Sequence, residues 1–141
     1  MSAKLIPSDP LVPVGGLLYF RRMVDKIRKH ARGELREDFH ANLGKGMDGR
    51  LCGFLQVDYD ALKARVLAGA TDEQALEWCQ AQGRRLTEGD VIIWNDFLRK
   101  RGWNDPSAPM LEKYKAEAGL TGRDDIRTFL EFWAIDEGRP L

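Results

Sequence analysis

The chain reads as an all-α protein, an irregular bundle of six or seven short helices with an extended N-terminal arm. Three observations predict this. Apolar residues recur at helical spacing along most of the 141 residues, and no segment shows the strict alternation of a strand. Proline, glycine and capping residues then divide the chain into pieces of helix length. With 43% hydrophobic and 31% charged residues, it has apolar mass to close one core and polar mass to cover it. The expected organisation is an arm over residues 1–16 and a single helical domain over 17–141.

In the arm, Pro7, Pro10, Pro13 and the Gly15-Gly16 pair preclude a helix, while Leu11, Val12 and Val14 can still pack. Over 17–32, Leu17, Phe20, Met23, Val24, Ile27 and Ala31 share one apolar arc, and Gly33 closes that first helix. A shorter second helix over 47–55 follows the flexible stretch 42–46 and is interrupted by Gly49 and Gly53. Asp58 caps a third helix that runs to Ala68 and ends at Gly69. Thr71 with Gln74 has capping-box spacing for a fourth running to Gln82, whose inner face carries Ala75, Trp78, Cys79 and Gln82. Thr87 caps a fifth. There Val91, Ile92, Ile93, Trp94, Phe97 and Leu98 cover so much of the circumference that it is expected to be the buried, central helix. Asp105 as cap and Pro106 in first position open a sixth, which ends at Gly119. Thr121 begins the last, with Ile126, Phe129, Leu130 and Trp133 on one stripe.

The 22 basic residues are cancelled by 22 acidic ones, so there is no whole-chain positive field to draw in nucleic acid or an anionic membrane. No apolar run reaches the length of a membrane span, and the proline-rich start lacks the apolar region of a signal peptide; the expected location is cytoplasmic. Cys52 and Cys79 are too few for a disulfide framework and are not spaced as a zinc pair, so both should stay reduced. No cofactor or metal site is expected, for no metalloprotease, nucleophile-elbow or phosphate-loop motif occurs.

Two regions remain as candidate sites. Arg21, Arg22, Lys26, Arg28, Lys29, Arg32 and Arg36 crowd the first helix and its exit, against Asp25 and Glu34. This face could recognise an anion or an acidic partner, with Arg21 and Arg28 as ligand contacts, or simply be solvated. His30 borders the apolar arc of the same helix. The segment Asp38-Phe39-His40-Ala41-Asn42-Leu43-Gly44-Lys45-Gly46-Met47-Asp48 holds the densest set of catalytic residue types. His40 suits a general base, Asp38 or Asp48 its orienting carboxylate, and Cys52 a thiol brought near a histidine by the fold. Asn42, Gly44, Lys45 and Gly46 suit an anion cradle, and the same residue types suit plain turn chemistry. Gly44, Gly46 and Gly49 match GxGxxG spacing, but no strand precedes them. Trp103, after Arg99-Lys100-Arg101-Gly102, forms a basic and aromatic corner that either docks a partner or fastens a turn.

Residues 17–36, the 38–46 loop, Val57-Asp58-Tyr59, Gly69-Ala70-Thr71-Asp72-Glu73, Glu77-Trp78-Cys79, Trp94-Asn95, Gly102-Trp103 and Asp124-Asp125-Ile126 resemble the bacterial domain of unknown function family fifty sixty-nine. The likeness extends over about 15–138. It implies a stand-alone bacterial domain and supplies no catalytic residues to carry over. The leading expectation is a small helical binding module for a protein partner or a small anionic ligand. The alternatives are a small acid-base or hydrolytic enzyme centred on residues 38–48, and a structural subunit that forms a homo-oligomer through Trp103 and the arm.

Overall fold

Seven α-helices and one 3-10 helix organise the computed structural model, which describes residues 4–140, and no strand forms among them. Residues 1–3 of the expected arm and Leu141 lie outside the described residues. The rest of the arm contains no helix: it is extended over 4–9, turns at 10–12 and turns again at Gly15–Gly16. It is held by a parallel bridge between Leu5 and Leu35, in which Leu5 N–H donates to the Glu34 carbonyl and Arg36 N–H to that of Leu5. The chain divides into two compact units, Met1–Val91 and Ile92–Leu141.

The first unit holds α1 (Phe20–Ala31), the 3-10 helix (Glu37–Asn42), α2 (Met47–Leu55), α3 (Tyr59–Leu67) and α4 (Asp72–Gln82). Its organising element is α1, which packs on α3 and α4, while α2 packs on α3. Leu17, Phe20, Met23, Val24 and Ile27 are buried along the predicted arc. Each such side chain contributes about 1.5–3 kcal/mol of transfer free energy. The helix begins at Phe20 rather than at residue 17, because Tyr19 turns the backbone left-handed, with φ 75°. Gly33, with φ 70°, lets Glu34 N–H reach back to the Lys29 carbonyl and end the helix. The caps behave as read: the Asp58 carboxylate accepts from Ala61 N–H, and Thr71 and Gln74 form a complete capping box. On α4 the inner face is Ala75, Leu76 and Cys79, with Trp78 half-buried and Gln82 exposed.

Helix α5 (Glu88–Lys100) begins in the first unit and continues into the second, with Thr87 and Asp90 closing a reciprocal cap at its start. It is not the buried central helix that its composition predicts. Trp94 and Leu98 are buried, whereas Ile92 and Ile93 are 54% and 65% exposed. Consecutive apolar residues advance around a helix by about 100° each, and a single buried stripe cannot accommodate them all. Within the first unit the central position belongs to α1.

In the second unit, α6 (Ala108–Glu117) and α7 (Phe129–Asp136) pack on each other around Leu111, Ile126, Phe129 and Phe132. Both start later than their sequence signals suggest. The Asp105 carboxylate accepts from Gly102 N–H, Ser107 N–H and Ser107 Oγ, which makes it the centre of a turn; α6 begins at Ala108, with Pro109 in its first turn. Thr121 likewise starts turns and no helix. The buried Lys115 ammonium donates to the carbonyls of Arg123 and Ile126, drawing them away from helical partners, and α7 begins only after Thr128 caps it through Glu131 N–H.

Candidate functional site

Phe39 anchors the 3-10 helix to α1, its ring lying under the guanidinium groups of Arg22 and Arg36, 5.7 and 4.9 Å from the centroid. That places His40 beside His30, with ring centroids 4.7 Å apart and planes at 78°. His40 Nε2 lies 3.0 Å from the Leu35 carbonyl. A carbonyl only accepts, so this nitrogen carries the proton and donates. The chain then turns through Gly44 and Gly46, both at positive φ, into α2. At Gly44 the glycine is required twice: φ is 75°, and a Cβ there would meet the Tyr59 ring at 2.7 Å.

Asp48, in the first turn of α2, is wholly buried. One carboxylate oxygen accepts from the Tyr19 hydroxyl at 2.6 Å and from Lys26 Nζ at 2.7 Å, and that ammonium also donates to the Tyr19 oxygen at 3.0 Å. The other accepts from Gly44 N–H at 3.1 Å. Burial and the Asp48 charge push the Tyr19 hydroxyl well above its ordinary value, so it remains a donor. This network welds the starts of α1 and α2 together and fixes the loop that carries Lys45.

The loop forms one rim of a cleft of about 410 Å³ within the first unit. Leu43, Gly44 and Lys45 supply the rim, Ile27 and His30 the α1 wall, and Asp58, Tyr59, Asp60 and Lys63 the α3 wall. Neither Lys45 nor Lys63 makes an ion pair among the described residues. Asp58 is committed to its cap, and Asp60 also lies in the first turn of α3, where the positive end of the helix partly offsets both carboxylates. The Tyr59 phenol is raised by burial and then by Asp48, and is neutral at physiological pH. His30 is lowered by burial first, then by the charges of His40 and Lys63.

The candidates of residues 38–48 are therefore sorted into different places. Gly44 and Lys45 meet at the cleft; Gly46 shapes the turn, and Asn42 is exposed at the end of the 3-10 helix. The two histidines meet each other. The carboxylates pair elsewhere, Asp38 in a fork with Arg36 and Asp48 with Lys26 and Tyr19. Cys52 is buried, with its Sγ 3.8 Å from the Met23 sulfur, and burial followed by the Asp48 charge pushes it up to about 12, so it is a protonated thiol at neutral pH. Among the described residues no group of three metal-ligating side chains occurs.

The first-helix face is not a free positive surface. Arg22 and Lys26 are buried, Arg28 pairs with Asp72, Lys29 with Asp25, Arg32 with Glu34 and Arg36 with Asp38, while Arg21 is exposed. Sequence reasoning missed Lys63 and Tyr59 as cleft residues and Tyr19 and Lys26 as the partners of Asp48. A usable signal existed for the last two, which stand seven residues apart in the segment 17–32 that the sequence reads as helix. No helix among the described residues is long and apolar enough to cross a membrane. A family profile described as Domain of unknown function (DUF5069) matches residues 4–139. No curated protein matches the chain.

Proposed function

Starting from the fact that the chain belongs to the DUF5069 family, we propose that it is a helical binding module of the bacterial cytoplasm, holding a small anionic ligand in the cleft between α1 and α3. The observation that carries this is the pair Lys45 and Lys63, two cations lining a concave site without ion-pair partners among the described residues, while the facing carboxylates are the N-cap Asp58 and the first-turn Asp60 of α3. The enzyme alternative needs a histidine and a carboxylate in reach of each other, and His40, Asp38 and Asp48 each take a different partner.

Thermal unfolding with sulfate, phosphate and pyrophosphate, at constant ionic strength, tests the proposal. An anion present at 100 times its dissociation constant adds about 2.7 kcal/mol of stability. Lys45→Ala and Lys63→Ala should each abolish most of that gain while leaving the unliganded protein within about 0.5 kcal/mol of wild type, as for other surface changes. Equal stabilisation of wild type and both variants would mean a general salt effect and reject the site. A protein partner has an observation of its own in the second unit, where Ile92, Ile93 and Trp103 are exposed. Sedimentation and capture experiments with Ile93→Asp address it separately.

A further inference from the structure

We propose that the His30–His40 pair makes ligand uptake proton-coupled: an anion entering between Lys45 and Lys63 is bound together with a proton on His30, so affinity rises as the pH falls. This rests on the anion-binding cleft proposed above and adds its regulation.

The case begins with the charge of the lining. Lys45 and Lys63 are matched in number by Asp58 and Asp60, so with a neutral imidazole the cleft has no net formal charge. His30 is the lining residue whose charge changes near neutral pH, and its protonation gives the site a net positive charge. Without an anion that proton is disfavoured, because burial, His40 and Lys63 all hold His30 below its ordinary value. The charged and titratable groups about it are Lys63, Asp58, Asp60 and the neutral Tyr59 phenol on the α3 side, Lys45 on the loop, and His40 on the 3-10 helix. On its own helix Lys26 is engaged with Asp48, and toward α4 Arg28 and Asp72 close on each other.

The two rings have unequal freedom. His40 Nε2 is committed to the Leu35 carbonyl, whereas His30 faces the cleft. With centroids 4.7 Å apart, His40 stands directly against His30 and is one of the groups that lower it. A bound anion favours the state with that proton on His30. By linkage, a ligand that raises a group's proton affinity is itself bound more tightly as the proton concentration rises.

Sulfate is the probe, since it stays a dianion across the range of interest, unlike phosphate. Its affinity is measured by calorimetry at constant ionic strength from about pH 8 to 5.5, the range in which histidine titrates. At a pH just above the window, the binding heat is measured in two buffers of different ionisation enthalpy. Wild type should tighten by up to tenfold per pH unit as the window is entered, the limit for one coupled proton. Its binding heat should change with the buffer. His30→Gln should bind sulfate with less than about twofold change over the same range and with no buffer dependence, because no titrating group remains on the α1 wall.

Sulfate binding of equal affinity at every pH, without proton uptake, overturns the coupling and leaves the anion site standing. The same follows if His30→Gln keeps the full pH dependence. Absence of sulfate binding at every pH overturns both. Should His30→Gln fail to fold, His40→Gln decides: removing the neighbouring imidazole should move the wild-type window to higher pH, and an unmoved window rejects the pair.

Discussion

Asp48 shows what a single residue does here. Its carboxylate has no exposure to solvent and is satisfied by Tyr19, Lys26 and the Gly44 amide. Truncating one member of a buried ion pair leaves the other charge uncompensated, at a cost of about 3–5 kcal/mol. Asp48→Ala should lose that much in urea denaturation, and Lys26→Met a similar amount. The double variant should lose clearly less than the sum, because the stranded charge is gone. Additive losses would show that the two side chains do not depend on each other. The residue type was legible in the sequence, but its role was not. Asp48 stands eight positions after His40, which makes the two look like partners; its side-chain partners lie 22 and 29 residues earlier, brought in by the fold. Gly44 reads as an adaptable turn glycine, and nothing local announces that the Tyr59 ring lies against it.

At the scale of elements, the signals with a local mechanism were the readable ones. Asp58, the Thr71–Gln74 box and the Thr87 cap each act within four residues, and each is where the sequence puts it. Asp105 and Thr121 carry equally good local signals, yet competing bonds redirect them: the Asp105 carboxylate turns back three residues to Gly102, and Lys115 takes the carbonyls of Arg123 and Ile126, 8 and 11 residues on, that a helix from Thr121 would use. Helix α5 is not a central helix because its apolar residues spread around the circumference and only the Trp94–Leu98 stripe is buried. The expected outcome of Ile93→Asn is therefore a change within about 0.5 kcal/mol, as for an exposed site, whereas Thr71→Ala should cost about 1 kcal/mol through its lost cap. Both are read from chemical denaturation midpoints. A loss of several kcal/mol at Ile93 would restore α5 to the core.

For the whole molecule, the balance of 22 acidic and 22 basic residues hides a pH response set by a few shifted groups. His30 is lowered by burial, His40 and Lys63, so the folded state binds a proton there less readily than the unfolded chain does. Its contribution to stability is complete above the ordinary histidine value near 6.5 and declines as the pH falls below it. Asp90 is lowered by the Thr87 amide, Asp125 by Arg123, and Asp105 by Ser107 and Gly102 against the opposing effect of burial. Their contributions hold above the ordinary carboxylate value of 3.8 and fade only as the pH falls through their lowered ones. The two limbs are therefore separate, with His30 governing the upper one. Urea midpoints taken without ligand from about pH 7.5 to 4.5 should fall through the histidine range in wild type and stay flatter in His30→Gln. Both proteins should share the same loss in stronger acid. Saturating sulfate should remove the upper decline in wild type, because a bound anion makes the proton on His30 favourable, and should leave the profile of His30→Gln unchanged in shape. An upper limb that persists in His30→Gln would assign it to another group and separate the stability of the fold from the proton that the cleft is proposed to bind.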